Sequence, residues 1–260
     1  MATKSQQLEM NILAITQARS NSSRLPGKVL MTISGQTLLE MHIRRILNSK
    51  SIDKLIVATT SDISDDGIAE VAQHCGVSSY RGSENDVLDR FYRAASSHFP
   101  NWIVRLTADC PLIDPELIDH VIKNAMEGDY DYYSNCESET FPDGQDVEVF
   151  TFESLKSAWK SAELFSEREH VTPFIRKNLM LRKEELQCTD LKYKFVRLTV
   201  DEQCDFEVIE QMIKKAGLDK SWQYYADFYL EHDEISRLNR NIIRNEGYTK
   251  SIKNDKKTNG

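Results

Sequence analysis

The chain has 260 residues, 40% hydrophobic and 28% charged, the proportions of one folded domain of generous size and not of a disordered chain. The balance of 33 Lys and Arg against 41 Asp and Glu leaves a formal charge of −8. That excludes a general nucleic-acid binder, which needs a broad basic face, but leaves room for a local basic pocket around a small phosphorylated ligand.

No apolar run approaches the roughly 20 residues needed to cross a bilayer. The opening stretch MATKSQQLEM lacks the apolar segment of a secretory signal. The five cysteines (Cys75, Cys110, Cys136, Cys188 and Cys204) form no Cys-x-x-Cys pair, so neither a zinc site nor a disulfide framework is indicated. A cytoplasmic protein with no membrane span and no nucleic-acid partner is expected.

In chain order, residues 11–18 (NILAITQA) form a short apolar run expected to be a strand. A helix follows the turn Ser34-Gly35-Gln36, with Leu39, Ile43, Ile46 and Leu47 on one face. Residues 55–60 read as a second strand. Helices follow over 68–75, stopped by Gly76, and over 86–97. Residues 102–106 make a third strand. Asp114 then caps a helix that begins with Pro115 and places Leu117, Ile118, Val121, Ile122 and Ala125 on one stripe before Gly128. Strands are expected at 130–135 and 147–151, helices at 152–162 and 167–176, and a strand at 195–200. A final helix turns Phe206, Ile209, Met212, Ile213 and Ala216 inward and closes at Gly217.

Apolar strands alternating with helices predict an α/β fold, a mostly parallel (mixed) sheet sandwiched by helices. The domain is expected over 1–235, with its core at 10–217 and C-terminal helices at 218–240. From Arg237 onward seven cations (237, 240, 244, 250, 253, 256, 257) face Glu246 and Asp255, a net of +5. Residues 241–260 therefore read as a basic, flexible tail.

Ligands of such sheets bind beyond the carboxyl ends of the strands. The first strand runs into QARSNSSRLPGKVL (17–30), which sets Arg19, Arg24 and Lys28 among Ser20, Asn21, Ser22, Ser23 and Gly27. Small residues free backbone N–H groups for an anion, and three cations suit polyphosphate oxygens; by composition alone a solvated basic loop fits equally. The loop is no Walker motif, since Ser22 stands five before Gly27 and Val29 follows Lys28, and G-x-G-x-x-G is absent from the chain.

Asp109, just past the third strand, suits a Mg2+ ion bridging phosphate oxygens or the cap of a turn. Asp201, after FVRLTV, suits the same ion or the cap of the helix near Asp205. Asp114 is fully explained as a helix cap. Asp146 and Glu148 share one side of their strand, which fits either substrate contact or a half-exposed edge. Ser166 to Phe174 (SEREHVTPF) gathers Glu167, Arg168, Glu169 and His170, again fitting substrate contact or a capping-box-like turn of Ser166 with Glu169. Asp129-Tyr130-Asp131 matches the Asp-x-Asp of metal-dependent glycosyltransferases but precedes its strand, which favours a surface turn.

ARSNSSRLPGKVL resembles the signature of the cytidylyltransferases that activate acylneuraminate and deoxy-manno-octulosonate sugars. The fuller resemblance is to the spore coat polysaccharide biosynthesis protein F family. It runs through RGSENDVLDRFYRAA, RLTADCPLIDPELID, PDGQDVEVF, SEREHVTPF and LTVDEQCDFEVI, in order over about residues 10 to 215. It implies a nucleotidyltransferase domain of the GT-A-like, Rossmann-like type that transfers CMP from CTP to an acidic, nonulosonate-like sugar for a surface polysaccharide or glycan. By that resemblance Ala18, Arg19, Ser23, Arg24 and Lys28 bind the CTP phosphates. Arg81, Gly82, Ser83, Asn85 and Asp86 border the base. Asp109 and Asp201 hold Mg2+, and Arg24, Lys28 and Asp109 carry catalysis. Asp146, Glu148, Arg168, Glu169 and His170 face the sugar, and a homodimer is implied.

One departure bears on the acceptor: Thr107-Ala108-Asp109 stands where the octulosonate enzymes carry Gln-Gly-Asp. The alternatives are a sugar-1-phosphate nucleotidyltransferase using another NTP, a GT-A-type glycosyltransferase, and a catalytically silent nucleotide binder.

Overall fold

The computed structural model describes residues 11–255. The polar stretch 1–10 and the last five residues, with Lys256 and Lys257, lie outside the described residues. In chain order the first half comprises β1 (Ile12–Gln17), a small hairpin of β2 (Thr32–Ile33) and β3 (Gln36–Thr37), α1 (Leu38–Ile46), β4 (Lys54–Thr60), α2 (Asp66–His74), β5 (Ser78–Gly82), α3 (Val87–Ser96), β6 (Trp102–Thr107) and α4 (Pro115–Glu127). The second half comprises β7 (Tyr132–Ser134), β8 (Glu148–Thr151), α5 (Phe152–Ser161), α6 (Phe165–His170), α7 (Pro173–Lys177), β9 (Lys183–Glu185), α8 (Gln203–Ala216), α9 (Trp222–Glu231), α10 (Asp233–Ser236) and α11 (Glu246–Lys253).

β1 is apolar on both sides because both sides are covered. Leu13 and Ile15 join the core beneath α3, α5 and α7, while Ile12 and Ala14 join the core beneath α1, α2, α4, α8 and α9. The seven-stranded sheet runs β5-β4-β1-β6-β8-β7-β9. β5, β4, β1 and β6 are mutually parallel, β8 is antiparallel to both β6 and β7, and β9 is parallel to β7. The chain leaves β1 toward β4 on one side and returns to β6 on the other, which opens a crevice at the carboxyl ends of β1 and β6.

Helix ends follow their caps. Thr37 Oγ1 accepts the Glu40 N–H at 3.0 Å, and Asp114 Oδ1 accepts the Glu116 N–H at 2.8 Å ahead of Pro115. Gly217, at φ 79°, closes α8.

Five elements depart from expectation. The strand expected at 195–200 is a 3-10 turn (Leu191–Phe195) followed by an extended stretch with one isolated bridge, Asp143 to Arg197. The segment beside it is a tight turn at Gly144, where φ is 100° and a Cβ would sit 2.7 Å from the Leu198 carbonyl carbon, and backbone pairing there is confined to the bonds of Asp143 with Val196 and Leu198. The buried Arg197 instead ties that stretch down, contacting Asp143 at 2.5 Å, Asp205 at 2.8 Å and Asp201 at 3.1 Å.

The helix expected at 167–176 breaks into α6 and α7 at Val171, whose φ is 69°. Pro173 has no N–H with which to continue the α6 ladder, and it restarts the chain as the first residue of α7. β5 and β9 were not anticipated, because SSYRG and KEE are polar edge strands without an apolar pattern. Finally, the expected flexible tail is folded through Asp255: α11 packs against α6. Among the described residues no helix is long and apolar enough to cross a membrane.

Candidate active site

The loop after β1 is moored by its backbone. The Gly27 N–H donates to the Ser20 carbonyl at 2.8 Å, and Gly27, at φ 70°, turns the chain into the 3-10 turn Lys28–Leu30. Asp65 Oδ1 accepts the Ser20 N–H at 2.7 Å, and its other oxygen accepts the Thr60 hydroxyl at 2.5 Å. The loop is thereby pinned to the end of β4. Lys28 is buried, and its Nζ donates to Asp109 Oδ2 and to Asp201 Oδ1, each at 2.9 Å. Arg24 reaches the same Asp201 oxygen at 2.8 Å.

Both acids therefore lie in one place, although they are far apart in sequence. Neither acts as a plain cap. Asp205, not Asp201, accepts the N–H groups of Asp201 and Glu202 at the start of α8, at 3.0 Å each. Burial works against the charged form of Asp109, but the Lys28 ammonium outweighs it and holds this carboxyl well below the usual carboxylate range. Burial likewise opposes the Lys28 charge, and Asp109 and Asp201 together raise its pKa nonetheless.

These groups floor a cavity of about 310 Å³ whose lining includes Ala18, Arg19, Ser23, Arg24, Lys28, Asp109 and Asp201, together with Glu169 and His170. A second cavity of about 500 Å³ opens from it, sharing Gln17, Arg24, Asp109, His170 and Asp201 and adding Arg105, Asp146, Glu148, Thr172 and Arg176. The arrangement suits a ligand with a polyanionic end in the first cavity and a hydroxyl-rich end in the second.

Not every expected residue arrives there. Arg81 turns to the outer surface, donating to the carbonyls of Thr60 and Asp62 at 2.9 and 2.6 Å and pairing with Asp66 at 2.5 Å. Gly82, Ser83, Asn85 and Asp86 line neither cavity. Ser83 Oγ accepts the Asp86 N–H, and Asp86 caps α3 while pairing with Arg168 at 2.5 Å. Arg168 is consequently a brace between α6 and α3 and faces neither cavity. The turn at Ser166 also differs from the expected box: Glu167 accepts the N–H groups of Glu163 and Leu164, and Ser166 donates to Asp255. Asp129-Tyr130-Asp131 is a surface turn, with Asp129 pairing with Arg182 at 2.7 Å.

Glu148 lies in the second cavity as half of a buried ion pair with Arg105, and it accepts hydrogen bonds from Tyr132 Oη at 2.8 Å and Thr172 Oγ1 at 2.6 Å. Burial opposes its charge, and Arg105 overrides that and lowers its pKa. Three cations escaped sequence reasoning. Arg90 is 2% exposed, has an unpartnered Nε, and borders the first cavity; Arg105 and Arg176 border the second. The signal for the first two was present, as a charged residue inside the apolar face of VLDRFYRAA and inside the strand WIVRL.

The donor set at Asp109 and Asp201 fits a magnesium ion. Two hard carboxylates converge on a position that a cation, the Lys28 ammonium, already shares. Mg2+ commonly takes one or two protein carboxylates and completes its shell with phosphate oxygens and water. In keeping with such a partial site, no group of three His, Cys, Asp or Glu side chains converges among the described residues.

A family model described as cytidylyltransferase matches residues 13–236. The chain is 39% identical over 236 residues to an uncharacterised protein of Methanocaldococcus jannaschii, covering 90% of this chain and 96% of that one. It is 36% identical over 219 residues to the spore coat polysaccharide biosynthesis protein SpsF of Bacillus subtilis, covering 80% and 88%. Among solved structures, a cytidylyltransferase from Leptospira borgpetersenii superposes with a TM-score of 0.82 at 31% identity, covering 90% of this chain and 98% of that one.

Proposed function

Since the chain belongs to the cytidylyltransferase family, we propose that it transfers CMP from CTP to an acidic, nonulosonate-like sugar with release of pyrophosphate, in the synthesis of a surface glycan. The observation that carries this reading is the convergence of Lys28, Arg24, Asp109 and Asp201 at the strand ends, beside a second cavity large enough for a sugar.

In the proposed reaction a sugar hydroxyl, giving its proton to solvent, forms an oxygen–phosphorus bond at the α-phosphorus while the bond from that phosphorus to the α–β bridging oxygen breaks. Pyrophosphate leaves with that bond's electron pair. The protein contributes position and charge, not a covalent step. Arg19, Arg24 and Lys28 neutralise the β- and γ-phosphates, and Lys28 and Arg24 stabilise the departing pyrophosphate. Asp109, held anionic by Lys28, and Asp201 beside it would hold Mg2+. When bound, that ion supplies charge neutralisation at the phosphates and lowers the pKa of a coordinated hydroxyl, so that no dedicated protein base is required. His170, which borders both cavities, and Glu169, which borders the first, orient the sugar toward the phosphate.

The test is a pyrophosphate-release screen of the four common NTPs against sugar acids and sugar phosphates, with and without magnesium. CTP with a sugar acid is expected to give turnover. Asp109→Asn should reduce it roughly 10²- to 10³-fold while the circular dichroism melt stays cooperative. Near-normal release by that variant overturns the assignment of Asp109, and turnover only with sugar-1-phosphates overturns the acceptor class.

A further inference from the structure

The family match stops at residue 236, yet the chain beyond it folds back over the second cavity. Arg244 donates to Asp146 at 2.5 Å and to the Phe141 carbonyl at 2.9 Å, and Asn245 donates to Glu139 at 2.6 Å. Ser251 Oγ donates to Glu169 at 2.5 Å and lies 3.0 Å from His170 Nε2. Tyr248 sets its ring edge-on to His170, 5.0 Å between centroids, and carries the Arg176 guanidinium over its face at 5.1 Å. Gly247 lines both cavities. Each of these contacts falls on a loop or helix that also bounds the cleft.

Three carboxylates of the second cavity have arginine partners. Glu148 has Arg105, Asp146 has Arg244, and Asp143 has Arg197. Arg176 differs: half-buried and lining the cavity, it makes no ion pair of its own among the described residues, its charge is favoured chiefly by the Glu148 carboxylate that Arg105 already pairs, and its guanidinium lies over the Tyr248 ring. A guanidinium fixed by a cation–π contact and making no direct ion pair of its own is a preformed fork for a carboxylate.

We infer that Arg176 reads the carboxylate of the acceptor sugar and that Tyr248, contributed by the segment beyond the family match, is the positioning residue that aims it. This inference rests on the proposed cytidylyl transfer to a sugar acid and adds how that acid is recognised.

The experiment compares sugar acids with their methyl esters as acceptors for the full chain, measuring KM separately for acceptor and CTP. The acid is expected to be preferred at least about tenfold in kcat/KM, and Arg176→Ala should abolish that preference. Tyr248→Ala should raise the acceptor KM by about tenfold with the CTP KM within about twofold, and Tyr248→Phe, which keeps the ring, should restore it. Wild-type enzyme that turns over acid and ester alike overturns the inference and leaves cytidylyl transfer standing. Equal shifts of both KM values in Tyr248→Ala reduce Tyr248 to a structural part and overturn its positioning role. Silence of the wild type toward every sugar acid sinks both readings together.

Discussion

Lys28 is 7% exposed, and a buried ammonium is tolerated only with paired anions around it. Asp109 and Asp201 supply them. This lysine therefore holds the two acids together; under the proposed function the same donor would face a phosphate oxygen of the triphosphate. A charge-assisted hydrogen bond of about 1.5–3 kcal/mol corresponds to roughly 10- to 100-fold in affinity. Lys28→Ala is accordingly expected to raise the apparent KM for CTP at least about tenfold, and an unchanged value removes Lys28 from the phosphate site. The residue types of this cluster were legible in the sequence, because cations among small residues after a strand have few purposes. Their meeting was not, since it depends on Arg197 drawing the stretch before Asp201 against Asp143 and Asp205.

At the scale of elements, the sequence reading of β1, β4, β6 and their helices held because each has an apolar period matched to its place. It failed where another force decides: at β5 and β9, which are polar edges; at Val171, where a positive φ breaks the helical pattern ahead of Pro173; and at 195–200, where the ion pairs of Arg197 accompany only a few backbone hydrogen bonds. One inter-element contact gives a pH test. His42 on α1 is fully buried, with Nδ1 2.8 Å from the Cys110 carbonyl beyond β6 and Nε2 2.8 Å from Thr16 Oγ1 on β1. A carbonyl can only accept, so Nδ1 carries the hydrogen and Nε2 receives the threonine hydroxyl. Burial drives the ring's pKa from 6.5 down to about 4. The unfolded chain thus takes the proton first: the contribution of His42 is complete above about pH 6.5 and declines as pH falls toward 4. The whole decline is about 3 kcal/mol at roughly 1.4 kcal/mol per pKa unit. Urea unfolding of wild type and His42→Gln between those pH values should show the smaller slope in the variant, and identical slopes contradict the buried neutral ring.

For the whole molecule, the cleft gathers groups from the first strand's loop, the β6 end, α6 and the stretch before α8. A ligand seated there binds only the intact fold, so its affinity adds to global stability, by about 2.7 kcal/mol at a hundredfold excess over Kd. CTP with magnesium should therefore raise Tm by about 5 °C or more for a chain of this size, and Asp201→Asn should blunt the rise. A flat melting temperature across all four triphosphates contradicts nucleotide binding. The wide separation of the two acids from their lysine also governs how the protein comes into being. Lys28 leaves the ribosome well before its partners, which follow 81 and 173 residues later. A nascent chain therefore carries an ammonium that cannot yet be interred, and its loop must stay hydrated until Asp201 has been synthesised. A transcript broken before that codon yields a fragment that no substrate can rescue, because the last wall of its own cradle was never translated.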